Sequence, residues 1–332
     1  MNTKNVKILG SGKYLPSKIV TSEELDEKLG LKNGWTEKKS GIKYRHYITT
    51  ESSSEMGAYA IEAALKDANL TVEDIDCIVS TSGSMQQPIP CTAALIQKQL
   101  GWENTKIPCF DINSTCLSFV TGLDVMSCMI DSKRYKNIIL VSTEVASNAL
   151  NWNQKESCVL FGDGAVAFII GQGIDTETSK VIGSHMETFS KGADLTEVRG
   201  GGTKIHPREH SIETKDNYLF HMDGHGVFKL SLKVIDSFMD EFLKNCNLTI
   251  KDIDMVVPHQ ASGMAMKIMR KHLGLPEEKF MNIIENHGNT IAASIPMALH
   301  EGIKQGKIKR GDKVMLIGTS AGLSIGGVVL EY

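Results

Sequence analysis

Short apolar runs alternate with amphipathic stretches along the 332-residue chain, and the same succession occurs twice. Residues 73–82, EDIDCIVSTS, and residues 251–260, KDIDMVVPHQ, each read as an acidic turn followed by a short β-branched strand. An amphipathic helix closing on Leu-Gly follows in each, IQKQLG at 96–101 and MRKHLG at 269–274. A second strand comes next, CFDINST at 109–115 and FMNIIEN at 280–286, then a turn of small residues and a helix. A third apolar strand completes each set, NIILVSTE at 137–144 and KVMLIGTS at 313–320. The beginnings also match, VKILGSGKYLPS at 6–17 with KVIGSHMETFSK at 180–191, and an early helix at 54–69 recurs at 226–246. Strands of this length between helices predict parallel or mixed sheets covered on both faces. Two such units predict an α/β body of two pseudo-symmetric halves in five layers, residues 1–175 and 176–332.

Composition narrows the function classes. A net charge of −3 provides no basic stripe for nucleic acid. Seven cysteines, at 77, 91, 109, 116, 128, 158 and 246, contain no CxxC pair, so they read as reduced thiols rather than disulfides or zinc ligands. The opening MNTKNVKILGSG runs straight into a strand, unlike a signal peptide. No apolar run reaches the ~18 residues of a membrane span. The expectation is a soluble, cytoplasmic protein with no metal.

Three positions fall where strands end and helices begin, the edge at which open α/β sheets bind ligands. Cys116 follows the strand FDIN and opens the stretch LSFVTGLDVMSCMI, where a helix N-terminus is expected to lower its pKa. His259 ends the strand MVVP. Asn289 lies in ENHGNTIAASIP, beside Gly288 and ahead of a small-residue helix start. In the repeat register Asn289 falls opposite Cys116, which places a polar pair at the pseudo-dyad. Taken singly, each has a plain structural alternative: a small buried thiol, a satisfied loop histidine and an Asx cap.

Together, DINSTCLSFVTGL, CVLFGDGAVAFII, MDGHGVFKL, VVPHQA, HGNTIAASIPMAL, KIKRGDKVMLIG and AGLSIGG resemble, in order and over essentially the whole chain, the β-ketoacyl-acyl-carrier-protein synthase III family of thiolase-like condensing enzymes. The resemblance implies a five-layered αβαβα fold and a ping-pong acyl transfer. Cys116 would take an acyl group from acyl-CoA, and a malonyl thioester, on acyl carrier protein, would then decarboxylate. His259 and Asn289 would donate hydrogen bonds to the resulting enolate. The backbone N–H groups of Cys116 and Ala321 would form the oxyanion hole. It also implies a homodimer with residues 85–97 near the interface, and no cofactor beyond the coenzyme A thioester substrate.

Several positions depart from the family pattern. Trp35 matches the tryptophan that holds the CoA nucleotide, but Lys39 and Lys155 stand where the family has arginines. Lysine supplies charge without the bidentate fork. Lys229, Arg270 and Lys271 are the expected contacts to an acidic carrier protein, whereas Met264 replaces a basic residue there. Thr319 replaces an aromatic residue at the closing loop. Ile89 replaces the aromatic residue that reaches into the partner's acyl tunnel. Both changes predict a roomier pocket and an acyl donor other than acetyl-CoA.

Among rivals, a biosynthetic thiolase needs a second cysteine in the closing loop, and GTSAGLSIGG has none. A plant-type polyketide synthase shares the three residues but is usually longer. An ester- or amide-forming acyltransferase often replaces the asparagine with an acid. A non-catalytic subunit of a synthase complex would be expected to have lost Cys116. The alternative kept is a specialised acyltransferase or polyketide-type synthase with a non-acetyl donor.

Overall fold

The computed structural model describes residues 3–174 and 178–332, so the expected boundary between 175 and 176 lies outside the described residues. Each half begins its repeat with a capped helix. Ser53–Ala68 starts at a Ser52/Glu55 capping box, turns Met56, Ala60, Ile61, Ala64 and Leu65 inward, and ends at Asn69 in the left-handed region (φ 53°). Its counterpart, Gly224–Cys246, ends at Asn247, also at φ 53°. Both then read Asn-Leu-Thr into a Thr/Asp capping box, Thr71 with Asp74 and Thr249 with Asp252, ahead of strands Cys77–Ser80 and Met255–Pro258. The early helix expected to recur is thus present in both halves, ahead of the acidic turns.

In the first half, strands Val6–Tyr14, Gly164–Gln172, Asn137–Glu144, Cys77–Ser80 and Cys109–Asp111 lie side by side in that order. The last three run parallel and the first two are antiparallel to their neighbours. The second sheet orders Met255–Pro258, Lys313–Ser320, Ser324–Glu331 and Lys180–Thr188, with only the first pair parallel. The strand expected over 280–286 is reduced to one bridge, Phe280 to Val256, before the chain turns into the short helix Ile284–His287. The Gln260 carboxamide occupies the missing ladder. Its Nε2 donates to Pro258 O (2.8 Å) and Met281 O (3.2 Å), and its Oε1 accepts from the Ile283 N–H (2.9 Å).

The layers follow from the period-2 alternation of the strands. Along Asn137–Glu144, Ile138 and Leu140 face inward while Ile139 and Val141 face outward. Between the sheets, Phe119, Leu123 and Met126 of helix Ser118–Asp131 pack with Ile295, Met297 and Leu299 of helix Ser294–Lys304. Met56, Ile61 and Ile96 cover the outside of the first sheet, and Val234, Phe238, Phe242 and Met266 cover the outside of the second. Helix, sheet, helix, sheet, helix: the five-layered thiolase arrangement is present. Each fully buried large aliphatic contributes about 2 kcal/mol. Among the described residues, no helix is long and apolar enough to cross a membrane.

Candidate active site

Two turns of the same construction meet between the sheets. In the first half, Asn113 Oδ1 accepts the Thr115 N–H (2.8 Å), Thr115 adopts φ 52°, and the 3-10 turn Thr115–Leu117 carries Cys116 into helix Ser118–Asp131. In the second, Asn289 Oδ1 accepts the Ile291 N–H (2.9 Å), Ile291 adopts φ 50°, and the turn Ile291–Ala293 leads into helix Ser294–Lys304. The structural mates are thus Asn113 with Asn289, Cys116 with Ala292 and Ser118 with Ser294. The expected pairing of Asn289 with Cys116 is corrected by three residues. The backbone frame is set where each carboxamide closes its turn, not where the preceding strand text matches.

The turns touch at Gly83. A Cβ there would lie 2.8 Å from Ile291 Cγ2 and 3.2 Å from Thr115 O. Asn289 is locked by its backbone, its N–H donating to Leu160 O (2.8 Å) and its carbonyl accepting from Gly162 N–H (3.1 Å). With Oδ1 occupied by Ile291, its Nδ2 is the donor end of the carboxamide and gives one long hydrogen bond to Ala261 O (3.5 Å). His259 follows Pro258 at the strand end, its N–H donating to Ile317 O (2.8 Å) and its Nδ1 2.6 Å from Ser294 Oγ. Gly318 lies between His259 and the Cys116 turn: a Cβ on it would sit 2.8 Å from His259 Cβ and 3.4 Å from Leu117 Cδ2. The segments bearing Cys116, His259 and Asn289 therefore converge.

Electrostatics revise one expectation. Cys116 is half-buried, and its thiol is pushed up to about 12, first by burial and then by the negative charge of Glu144. Raising the thiol from 9 to about 12 disfavours the thiolate by about 4 kcal/mol, against about 1 kcal/mol or less in its favour from a helix terminus. Desolvation wins, and the expected lowering by the helix is overturned. His259, 8% exposed, is held neutral, its pKa lowered to about 4 by burial. Glu144, at the end of strand Asn137–Glu144, is fully buried and raised to about 7 by that burial. Its carboxyl accepts from Gly83 N–H (2.5 Å), Ser84 N–H (3.0 Å) and Ser84 Oγ (2.5 Å). Sequence reasoning missed Glu144 and Ser294. A lone acid closing an otherwise apolar strand, and a serine five residues beyond each turn asparagine, are the signals that point to them.

The remaining predicted residues are distributed around this centre. Trp35 opens helix Trp35–Ser40 and packs half-buried against the apolar cluster that contains Leu160 and Phe161, a cluster against which Ile291 of the Asn289 turn also packs. Lys39 pairs with Glu156 (3.1 Å), the neighbour of Lys155 in helix Lys155–Cys158, so the two lysines share one rim. Thr319 is half-buried in strand Lys313–Ser320, and Ala321 follows that strand. Ile89 is 84% exposed, with Met85 also exposed on the same loop. Lys229 and Lys271 are exposed. Arg270 is turned inward, its Nη1 donating to Leu275 O (3.1 Å) and its Nη2 lying 3.7 Å from Glu277. Among the described residues, His185, Glu187 and Glu241 bring their ligand atoms within 4.8 Å of one another, with His185 Nε2 3.0 Å from Glu187 Oε1.

Comparison with known proteins gives one answer. The model of the 3-Oxoacyl-[acyl-carrier-protein (ACP)] synthase III family matches residues 110–190, and that of its C-terminal part matches residues 243–332. A beta-ketoacyl-[acyl-carrier-protein] synthase III of Clostridium perfringens is 36% identical over 328 residues, covering 99% of both chains. The crystal structure of 3-oxoacyl-[acyl-carrier-protein] synthase III from Aquifex aeolicus is 32% identical over the whole of both chains, with a TM-score of 0.87. The priming β-ketosynthase of the R1128 polyketide biosynthetic pathway is 25% identical, with a TM-score of 0.88 over 99% of this chain and 97% of its own. Fold and relatives together define a condensing acyltransferase with a thiolase-type body. More narrowly, the chain belongs to the β-ketoacyl-[acyl-carrier-protein] synthase III family. Enzymes of this family use thioester substrates without a cofactor.

Proposed function

We propose that Cys116 carries the acyl group in a decarboxylative condensation of acyl-CoA with malonyl-acyl-carrier protein, with His259 and Asn289 stabilising the enolate. The reading rests on the convergence of the two turns and the His259 strand end. In the first half-reaction the Cys116 sulfur bonds to the acyl carbon, the bond between that carbon and the sulfur of CoA breaks, and the proton lost by Cys116 passes to the departing CoA thiolate. In the second, the malonyl C–C bond breaks and carbon dioxide leaves. The electron pair remains as an enolate whose oxygen accepts from His259 Nε2–H and Asn289 Nδ2–H. The enolate carbon attacks the acyl carbonyl, and the bond from that carbon to the Cys116 sulfur breaks, the thiolate taking up a proton from solvent. The tetrahedral oxyanion sits against the N–H groups of Cys116 and Ala321. One such donor lowers a barrier by about 3 kcal/mol.

Trp35, Lys39 and Lys155 form the CoA rim, and Lys229 and Lys271 meet the carrier protein. Arg270 contributes less, because its guanidinium already bonds within its own segment. Thr319, together with an Ile89 supplied by a second copy in a cytoplasmic homodimer, leaves room for an acyl chain longer than acetyl. Loading purified protein with acyl-CoAs of increasing length, and reading the Cys116 adduct by intact mass before and after adding malonyl-acyl-carrier protein, tests this. Preferred loading of longer acyl groups, discharged by the malonyl thioester, is expected. Exclusive acetyl loading overturns the roomy pocket, and absence of any Cys116 adduct overturns the whole reading. Likeness to a polyketide priming ketosynthase favours, as a second reading, the same chemistry serving a polyketide starter.

A further inference from the structure

His259 can stabilise an enolate only if its proton is on the nitrogen facing substrate, and a neutral imidazole has two tautomers. We propose that Ser294 is the positioning residue that fixes this tautomer, donating its hydroxyl hydrogen to His259 Nδ1 so that Nε2 keeps the ring proton. The inference rests on the enolate-donor role given to His259 above. Ser294 Oγ lies 2.6 Å from Nδ1, and Ser294 has no solvent exposure. On its other side the same oxygen accepts the Gln260 N–H at 3.4 Å. These are its two contacts among the described residues. A hydroxyl that accepts from the backbone has one hydrogen left to give, and Nδ1 is its remaining neighbour.

The molecule contains its own control. Ser118, the mate of Ser294, donates to Thr115 O (2.6 Å) or Ser82 O (3.2 Å) and accepts the Ser114 N–H (3.0 Å). Ser82 occupies the place of Gln260, so the bond between these two positions runs in the opposite sense in the two halves. Where His259 stands in the second half, the first half has Thr81, whose hydroxyl pairs with Ser142 (2.9 Å). The serine is tied to carbonyls where there is no imidazole, and is released from them where there is one. Its burial, and that of the imidazole, also disfavours the doubly protonated ring, in line with the lowered pKa of His259.

The test uses full-length protein with ¹⁵N-labelled histidine. Wild type is expected to show His259 with Nε2 protonated and Nδ1 accepting a hydrogen bond; an Nδ1-protonated ring overturns the proposal without any variant. In S294A, decarboxylation of malonyl-acyl-carrier protein by enzyme alkylated at Cys116 should fall roughly 10- to 100-fold. Acyl loading on unblocked Cys116 should change by less than about threefold, and S294T should recover part of the loss. Unchanged decarboxylation in S294A, with H259A severely slowed, overturns the role of Ser294 alone. Unchanged decarboxylation in H259A overturns the donor role of the histidine on which it rests.

Discussion

The turn at Asn113 and the turn at Asn289 are built alike and surrounded differently. Each carboxamide accepts the N–H two residues on, each turn forces a β-branched residue to positive φ, and each launches a helix at a serine. Asn113 is exposed, whereas Asn289 is 6% exposed and hydrogen-bonded through both backbone groups to residues 160 and 162. Cys116 occupies the place of Ala292, and Glu144 at the end of the third strand occupies the place of Ser320. The two halves thus hold equal frames with different groups on them: a thiol and a buried acid in one, an imidazole and a buried carboxamide in the other.

The largest expected effect comes from erasing the difference at the nucleophile. C116A, which makes the first turn match Ala292, should abolish the acyl adduct seen by mass and reduce condensation at least ~10⁴-fold. Alkylated or alanine-substituted enzyme that still condenses at a substantial fraction of the wild-type rate would remove Cys116 from the reaction. Next comes the comparison of twin carboxamides. N289A should slow malonyl decarboxylation by about 10²- to 10³-fold, while N113A should cost about 1 kcal/mol of stability with decarboxylation within about threefold. Equal losses in the two variants would mean that both asparagines serve only their turns.

Glu144 against Ser320 gives a pH signature. Because burial raises its pKa from 4.5 to about 7, the folded state binds this proton more tightly than the unfolded chain does. Stability from the protonated carboxyl is therefore present below 4.5 and lost as pH rises to about 7, by about 3 kcal/mol. Denaturant unfolding of E144Q should shift in the variant's favour by about that amount over this window. A constant difference between E144Q and wild type across it would show that the carboxyl titrates normally. E144Q should also speed alkylation of Cys116 at fixed pH, since the charge that opposes the thiolate is gone. The smallest contrast concerns the strained residues. T115G relieves a left-handed threonine but adds unfolded-state entropy of similar size, so its stability should stay within about 1 kcal/mol of wild type. I291G also deletes the side chain that packs toward Gly83 and should lose about 2 kcal/mol in the same thermal or denaturant measurement.

Much of this was readable in the chain. Strand text, helix periodicity and the duplicated order are local properties, and Val6–Tyr14, Asn137–Glu144 and Lys313–Ser320 form where their patterns indicate. Cys116, His259 and Asn289 are legible as residues at strand ends and on converging segments. What the chain did not reveal depends on groups distant in sequence. The missing strand at 280–286 is displaced by the Gln260 side chain, and the Cys116 pKa is set by burial and by Glu144 rather than by the helix that follows. The repeat register slipped for a similar reason: Thr115 and Ile291 show in sequence only as ordinary β-branched residues, while their positive φ marks the true correspondence.

Helix Trp35–Ser40, which carries Trp35 and Lys39 of the proposed CoA rim, ends at Gly41, and helix Gly263–His272 begins at Gly263, four residues past His259. A Cβ on either glycine would lie 3.0 Å from the Cα of the other. Two bare backbones thus lean on each other between this helix and the loop that follows His259, with no side chain to cushion them. An alanine at either position would act as a wedge, prising the helix away from the histidine loop. The spacing of the two segments is gauged by two absent methyl groups contributed by parts of the chain more than half its length apart.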